Sequence, residues 1–145
     1  MLHSVDLNDY MLRHPPTLSP DADIYEAIAL ITDHMLSGLC VVDAKGELLG
    51  VLSELDCLDA TFPAMYDGGR HVGKVRDHMT PLEKVVIAAP GDDIVDIAND
   101  MLRNRLRHRP VVEDGKLVGQ ITCHQLLRAI RKFSGVIFPP RGSQD

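Results

Sequence analysis

Leu48-Leu49-Gly50-Val51-Leu52-Ser53 and Leu117-Val118-Gly119-Gln120-Ile121-Thr122 are two versions of one pattern, an apolar run broken by a glycine and closed by a hydroxyl residue three positions on. The same succession precedes each. Asp21-Ala22-Asp23-Ile24 and Asp92-Asp93-Ile94 open periodic apolar segments, Val41-Val42-Asp43 and Val111-Val112-Glu113 follow, and a glycine-containing turn leads into the quoted stretch. The copies keep step from Ile24 to Leu58 and from Ile94 to Leu127 apart from one extra residue, Lys45, in the first turn. A repeat this short cannot bury a core alone, so the two are expected to pack face to face and leave clefts along their seam.

Periodicity assigns the elements. Ile24, Ala27, Ile28, Ile31 and Met35 in one copy, and Ile94, Ile97, Ala98, Met101 and Leu102 in the other, are spaced for one amphipathic helix each. Ser19-Pro20 and Pro90-Gly91, followed by acids, mark the starts. The runs Leu39 to Val42 and Pro110 to Val112, the turns Asp43-Ala44-Lys45-Gly46 and Asp114-Gly115, and the quoted stretches form a β-hairpin per copy. Second helices are expected from Glu54 to about Ala60 and from Cys123 to about Phe133. Strands at Thr17-Leu18 and from Val85 to Ala88 should complete the sheets. The fold class is therefore α/β (α+β), two pseudo-symmetric repeats that each pack a small three-stranded sheet with two helices. Residues 1–68 hold the first repeat with its lead and linker, 69–134 the second, and 135–145 a flexible tail.

The chain has 145 residues, 45% hydrophobic and 25% charged, close to the globular average, which argues against disorder. It contains no apolar run of the roughly 20 residues needed to span a bilayer. Met1-Leu2-His3-Ser4-Val5-Asp6 lacks the basic and apolar regions of a secretory signal, so the expected location is the cytoplasm, with no membrane partner. The odd set Cys40, Cys57 and Cys123 forms no C-x-x-C pair and reads as small buried residues in a reducing compartment. The 7 histidines show neither H-E-x-x-H nor finger spacing, so no metal site is expected. With no Ser-His-Asp or Cys-His constellation to assemble, the chain does not read as an enzyme.

Charge is unevenly spread behind the net value of −6. Most bases of the second half fall between Arg103 and Lys132, where Arg103, Arg105, Arg107 and Arg109 alternate around His108. So compact a patch on an acidic chain suits a small anion such as a nucleotide phosphate and argues against nucleic acid. The plain alternative for Arg103 and Arg105 is a solvated helix face.

With these features in place the chain resembles a tandem pair of CBS domains, a Bateman module. The leads Asp9-Tyr10-Met11 and Asp77-His78-Met79-Thr80 match the family's "V-x-D-x-M", and the likeness runs from about Val5 to Phe133. The resemblance implies a regulatory site for an adenine nucleotide. Gly50, Ser53 and Asp56 match the motif in which the aspartate takes the ribose hydroxyls and the hydroxyl residue lies near the phosphates. A carboxylate suits a vicinal diol, and the helix start at Ser53 suits an anion. An ordinary first-turn acid is the plain reading of Asp56.

By the same resemblance Arg107 and His108, ahead of Pro110, face the phosphates. Val85 and Val86, with Val51, flank the base, Ser37 stands where relatives place an arginine, and His124 lies near the phosphates. A second, weaker site is implied around Thr17, Thr122 and Gln125, because Gln125 replaces the aspartate and Pro15-Pro16 replace the base-lining residues. AMP, ADP, ATP, NAD and S-adenosylmethionine share the adenosine part, and no cofactor is required. The expected partners are the nucleotide, a regulated protein of unknown identity, and a second copy of the chain. Leu55, Leu58, Leu126, Leu127 and Ile130 offer that second copy an apolar face. The alternative is a dimeric protein-interaction module with a vestigial nucleotide site.

Overall fold

The computed structural model describes residues 4–133, and the tail expected over 135–145 lies outside them. The first repeat holds a one-turn 3₁₀ helix (Leu7–Asp9), β1 (Leu12–Arg13), β2 (Thr17–Leu18), α1 (Ile24–His34), β3 (Gly38–Val42), β4 (Leu48–Ser53) and α2 (Glu54–Met65). The second follows with α3 (Val75–His78), β5 (Thr80–Pro81), a 3₁₀ turn (Leu82–Lys84), α4 (Ile94–Asn104), β6 (His108–Glu113), β7 (Lys116–Thr122) and α5 (Cys123–Phe133). No helix among these is long and apolar enough to cross a membrane.

Helices α1 and α4 form as their spacing predicts. Asp23 and Asp93 cap them by accepting the amides of Tyr25 (2.6 Å) and Val95 (2.7 Å). Ile24, Ala27 and Ile31 are buried on one, Ile94, Ile97 and Met101 on the other. Helix α2 outruns the expected end at Ala60 and continues through Pro63 to Met65. Burial of Ala60 and Ala64 on the same face outweighs the weak local propensity there.

The second sheet has the expected three strands and the first has four, because the leads change places. β5, from the second repeat's lead, pairs antiparallel with β4 and gives the first repeat a four-stranded sheet, β2-β3-β4-β5. β1, from the first lead, pairs with β7 and gives the second repeat β1-β7-β6. The expected strand from Val85 to Ala88 is reduced to one parallel bridge, Ala88 to Val111. Val86 and Ile87 stay half-exposed, so only Ala88 has a core to enter.

The exchange explains the glycine of the repeated stretch. A Cβ on Gly50 would lie 2.3 Å from the Thr80 carbonyl oxygen, and one on Gly119 would lie 2.8 Å from that of Leu12. Only glycine lets the crossing strand reach hydrogen-bonding distance. In place of one shared core there are two, each completed by the other repeat's lead. Val72 and Val75 join Ile24, Leu39 and Leu52, while Leu7 and Met11 join Met101, Val111 and Ile121.

One pair breaks the symmetry of these cores. Where the first repeat has buried Leu39 on partly buried Leu30, the second has buried Arg109 paired with the carboxylate of Asp100. The alternating arginines are thus not one anion-binding surface, since Arg109 turns inward and its Nε is buried without a hydrogen-bond partner. Removing one member of such a pair strands a buried charge, whereas replacing both with apolar groups does not. Asp100→Ala is expected to destabilise the fold by about 3 kcal/mol, and the double change Asp100→Leu/Arg109→Leu to leave it within about 1 kcal/mol of the parent or above it. Urea unfolding of the three proteins checks this, and a double mutant destabilised by as much as Asp100→Ala or more would mean that the stranded charge is not the source of the loss.

Candidate functional site

Two clefts lie along the seam, related by the same pseudo-symmetry as the repeats. The first has a volume of about 420 Å³, within the range of about 300–1,000 Å³ usual for small-molecule sites. The end of β4 contributes Val51 and Ser53 and the start of α2 contributes Asp56; the second repeat's lead adds Val85 and Val86, and β6 with its approach adds Arg107, His108 and Pro110. Ser37 lines it too. The crossing of β5 over Gly50 brings the lead of one repeat against the strand end of the other, so the cleft exists only because the strands exchanged.

Asp56 and Ser53 are bound to each other. The Ser53 amide donates to Asp56 Oδ2 (2.9 Å) and the Asp56 amide donates to Ser53 Oγ (3.1 Å), a reciprocal cap on α2. One carboxylate oxygen therefore serves the helix, which holds the group at the cleft. The plain reading of Asp56, a first-turn acid that serves its own helix, is met by this geometry. His108 is largely buried and its Nε2 has no hydrogen-bond partner. Burial pushes its pKa below the ordinary histidine value, and nearby Asp56 opposes this only in part, so the ring is neutral near pH 7.

Two further cations stand at the rim. Arg105 follows the end of α4 in a left-handed conformation (φ 56°), and Lys84 immediately precedes Val85-Val86. Sequence reading passed over Lys84, although its place beside the two valines was the available signal. Thr80, Glu54, Leu55 and Leu106 also line the cleft, and the Glu54 carboxylate sits 3.8 Å from the Arg107 guanidinium. Both side chains of that pair are substantially exposed, so it holds neither firmly.

The second cleft, of about 440 Å³, contains Thr122 and Gln125, and His124 belongs here and not to the first. Thr17 does not reach it, lying exposed on β2 opposite Cys40. Gln125 repeats the cap of Asp56 with a poorer group. Its amide oxygen accepts both the Thr122 amide (2.8 Å) and the Thr122 hydroxyl, leaving little for a diol. Cys123 is exposed on this cleft, contrary to the reading of all three cysteines as buried. Cys40 and Cys57 are buried, and burial pushes their thiols up to about 12 and about 11.

A family model described as the CBS domain matches residues 7–62 and again 75–132. A Methanocaldococcus jannaschii protein, MJ1225, is 31% identical over 124 residues, which are 86% of this chain and 42% of that protein. An inosine-5'-monophosphate dehydrogenase of Nitrosopumilus maritimus is 35% identical over 118 residues, 80% of this chain but 22% of that enzyme, so the chain spans less than half of either relative. Among solved structures, Arabidopsis thaliana CBSX2 in complex with AMP superposes with a TM-score of 0.77 at 27% identity, covering 90% of this chain and 98% of that one.

The buried neutral histidine has a consequence for stability. Because the folded-state pKa of His108 is depressed, the unfolded chain binds the extra proton first as pH falls below about 6.5, and that proton favours unfolding. Stability contributed in this way is intact above about pH 7 and is lost on acidification. Urea midpoints measured at pH 7.5 and 5.5 should fall less in His108→Gln than in the parent protein. Equal losses would show that His108 does not sense the change.

Proposed function

The chain belongs to the CBS-domain family as a tandem pair, and we propose that its first cleft binds an adenine nucleotide and that the module regulates a partner protein without catalysing a reaction. The observation that carries this reading is a carboxylate held by the α2 cap beside an apolar wall and a basic rim. The free Asp56 oxygen would accept the ribose hydroxyls, Val51, Val85 and Val86 would cover the base, and Lys84, Arg105 and Arg107 would face the phosphates. AMP in the similar CBSX2 structure supports the ligand class. A phosphate beside Arg107 and His108 would favour proton uptake by the imidazole, so acid that weakens the empty fold should strengthen the complex. The unpaired thiols suit a reducing compartment such as the cytoplasm.

A homodimer belongs to the same proposal. Helix α2 exposes Leu55, Leu58, Phe62 and Met65, and Leu127 and Ile130 are exposed on α5. Leu126, expected on that apolar face, is instead buried in the second core. Phe62 and Met65 extend the exposed stripe in its stead, and a stripe of this kind supports the reading of an association surface. Phe62→Glu should shift the chain from dimer to monomer at micromolar concentration by light scattering. A parent chain that is already monomeric would overturn the dimer.

Asp56→Asn is the direct test of the cleft, because asparagine keeps an oxygen for the Ser53 amide while removing the charge. Calorimetry should show AMP binding weakened roughly 10- to 100-fold, the loss expected for a charge-assisted hydrogen bond of about 1.5–3 kcal/mol. Asp56→Ala should lose the same affinity and in addition about 1 kcal/mol of stability from the cap. Unchanged affinity in both variants would place the nucleotide elsewhere.

A further inference from the structure

The two clefts share a wall, and one charged side chain stands in it. Arg107 and Ser37 each line both cavities. They are equivalent positions, each just before the first residue of a hairpin strand, His108 in β6 and Gly38 in β3. Both backbones are pinned, since the Ser37 carbonyl accepts the Glu54 amide (3.0 Å) and the Arg107 carbonyl accepts the Cys123 amide (3.0 Å). The septum is therefore fixed, and only the side chains projecting from it can turn. Arg107 is 77% exposed there, with Glu54 at 3.8 Å as a weak counter-ion.

The duplication has diverged in charge at this point. The first cleft has Lys84 and Arg105 besides Arg107, whereas the second has Met35 where the first has Arg105, and Ser37 where symmetry would require a second arginine. Apart from Arg107, the basic groups lining the second cleft are His34 and His124. One movable guanidinium thus lines two clefts, one of which has Lys84 and Arg105 besides it and the other only histidines.

We propose that Arg107 is a shared anion ligand, so that a phosphate in the first cleft withdraws the guanidinium from the second and leaves that cleft selective for an uncharged nucleoside. This rests on the nucleotide reading of the first cleft. Two phosphates at one septum also repel, which adds to the coupling with the same sign. Linkage makes the effect reciprocal. The coupling belongs to the charge and not to cleft shape, so it should act on AMP and spare adenosine.

The test uses the full chain labelled with ¹³C at methionine and valine methyls, titrated with AMP and separately with adenosine. Val85 and Val86 report the first cleft and Met35, which is 91% exposed, reports the second. In Asp56→Asn, where AMP fills the first cleft only at about 10- to 100-fold higher concentration, Met35 should report AMP binding about 5- to 10-fold tighter than in the parent chain at concentrations that leave the valine signals unmoved, with adenosine unchanged. Ser37→Arg, which gives each cleft its own guanidinium, should shrink that difference to what phosphate repulsion alone leaves. Arg107→Ala should weaken AMP at both reporters from a single substitution. Loss at the valines alone, or the same Met35-reported AMP affinity in parent and Asp56→Asn, overturns the sharing. Valine methyls that never respond to AMP would instead remove the nucleotide reading of the first cleft, and the sharing with it.

Discussion

The exchange of lead strands is the constraint from which the rest of this structure follows. Backbone carbonyls of Thr80 and Leu12 pass so close to Gly50 and Gly119 that a methyl group at either glycine would collide with them. Each crossing also drives apolar side chains into the opposite core, Val75 into the first and Leu7 into the second. Neither repeat retains a complete core if the other leaves. That dependence turns two short repeats into one cooperative body, and the clefts are the residual space where the exchanged chains meet.

Duplication supplied two equal clefts, and a handful of substitutions made them unequal. Asp56 faces Gln125 across the pseudo-symmetry, Arg105 faces Met35, Arg107 faces Ser37 and Glu54 faces Cys123. The hydrogen-bonded cap is common to both sides, so it is the inherited scaffold. What differs is the acceptor capacity left after the cap is made, one oxygen in the carboxylate and little in the amide. The same asymmetry reaches the cores, where Leu39 and Leu30 of the first repeat correspond to Arg109 and Asp100 of the second.

Much of this was legible in the chain, because it rests on local rules. The helices α1, α4 and α5 and both hairpins follow from periodicity and turn residues, whereas the placing of Ser53, Asp56, Arg107 and His108 around one cleft came from the resemblance to the CBS family. The strand exchange was not legible, since β1 and β5 are two residues long and their partners are far off in sequence. The inward turn of Arg109 was hidden for the same reason. Its neighbours in sequence suggest a basic surface, and only the register of β6 against β7 decides which alternate side chains enter the core. His124 lies in the first turn of α5, which borders the second cleft as the first turn of α2 borders the first, and so it falls one cleft away from its expected place.

The architecture gives a ligand leverage that a pocket within one repeat would lack. Wall residues of the first cleft come from β4 and α2 of one repeat and from the lead and β6 of the other. A molecule bound there adds its binding energy to the contacts that hold the repeats together, and the gain grows with ligand concentration as RT ln(1 + [L]/Kd). At 100 times Kd that is about 2.7 kcal/mol, a substantial fraction of the stability of a small domain. The exposed stripe on α2 begins at Leu55, which is also a wall residue of the cleft, so the first turn of that helix belongs to both features. The cap formed by Ser53 and Asp56 sits at that first turn. A ligand that engaged Asp56 would therefore act at the link between the first cleft and the exposed apolar stripe of α2.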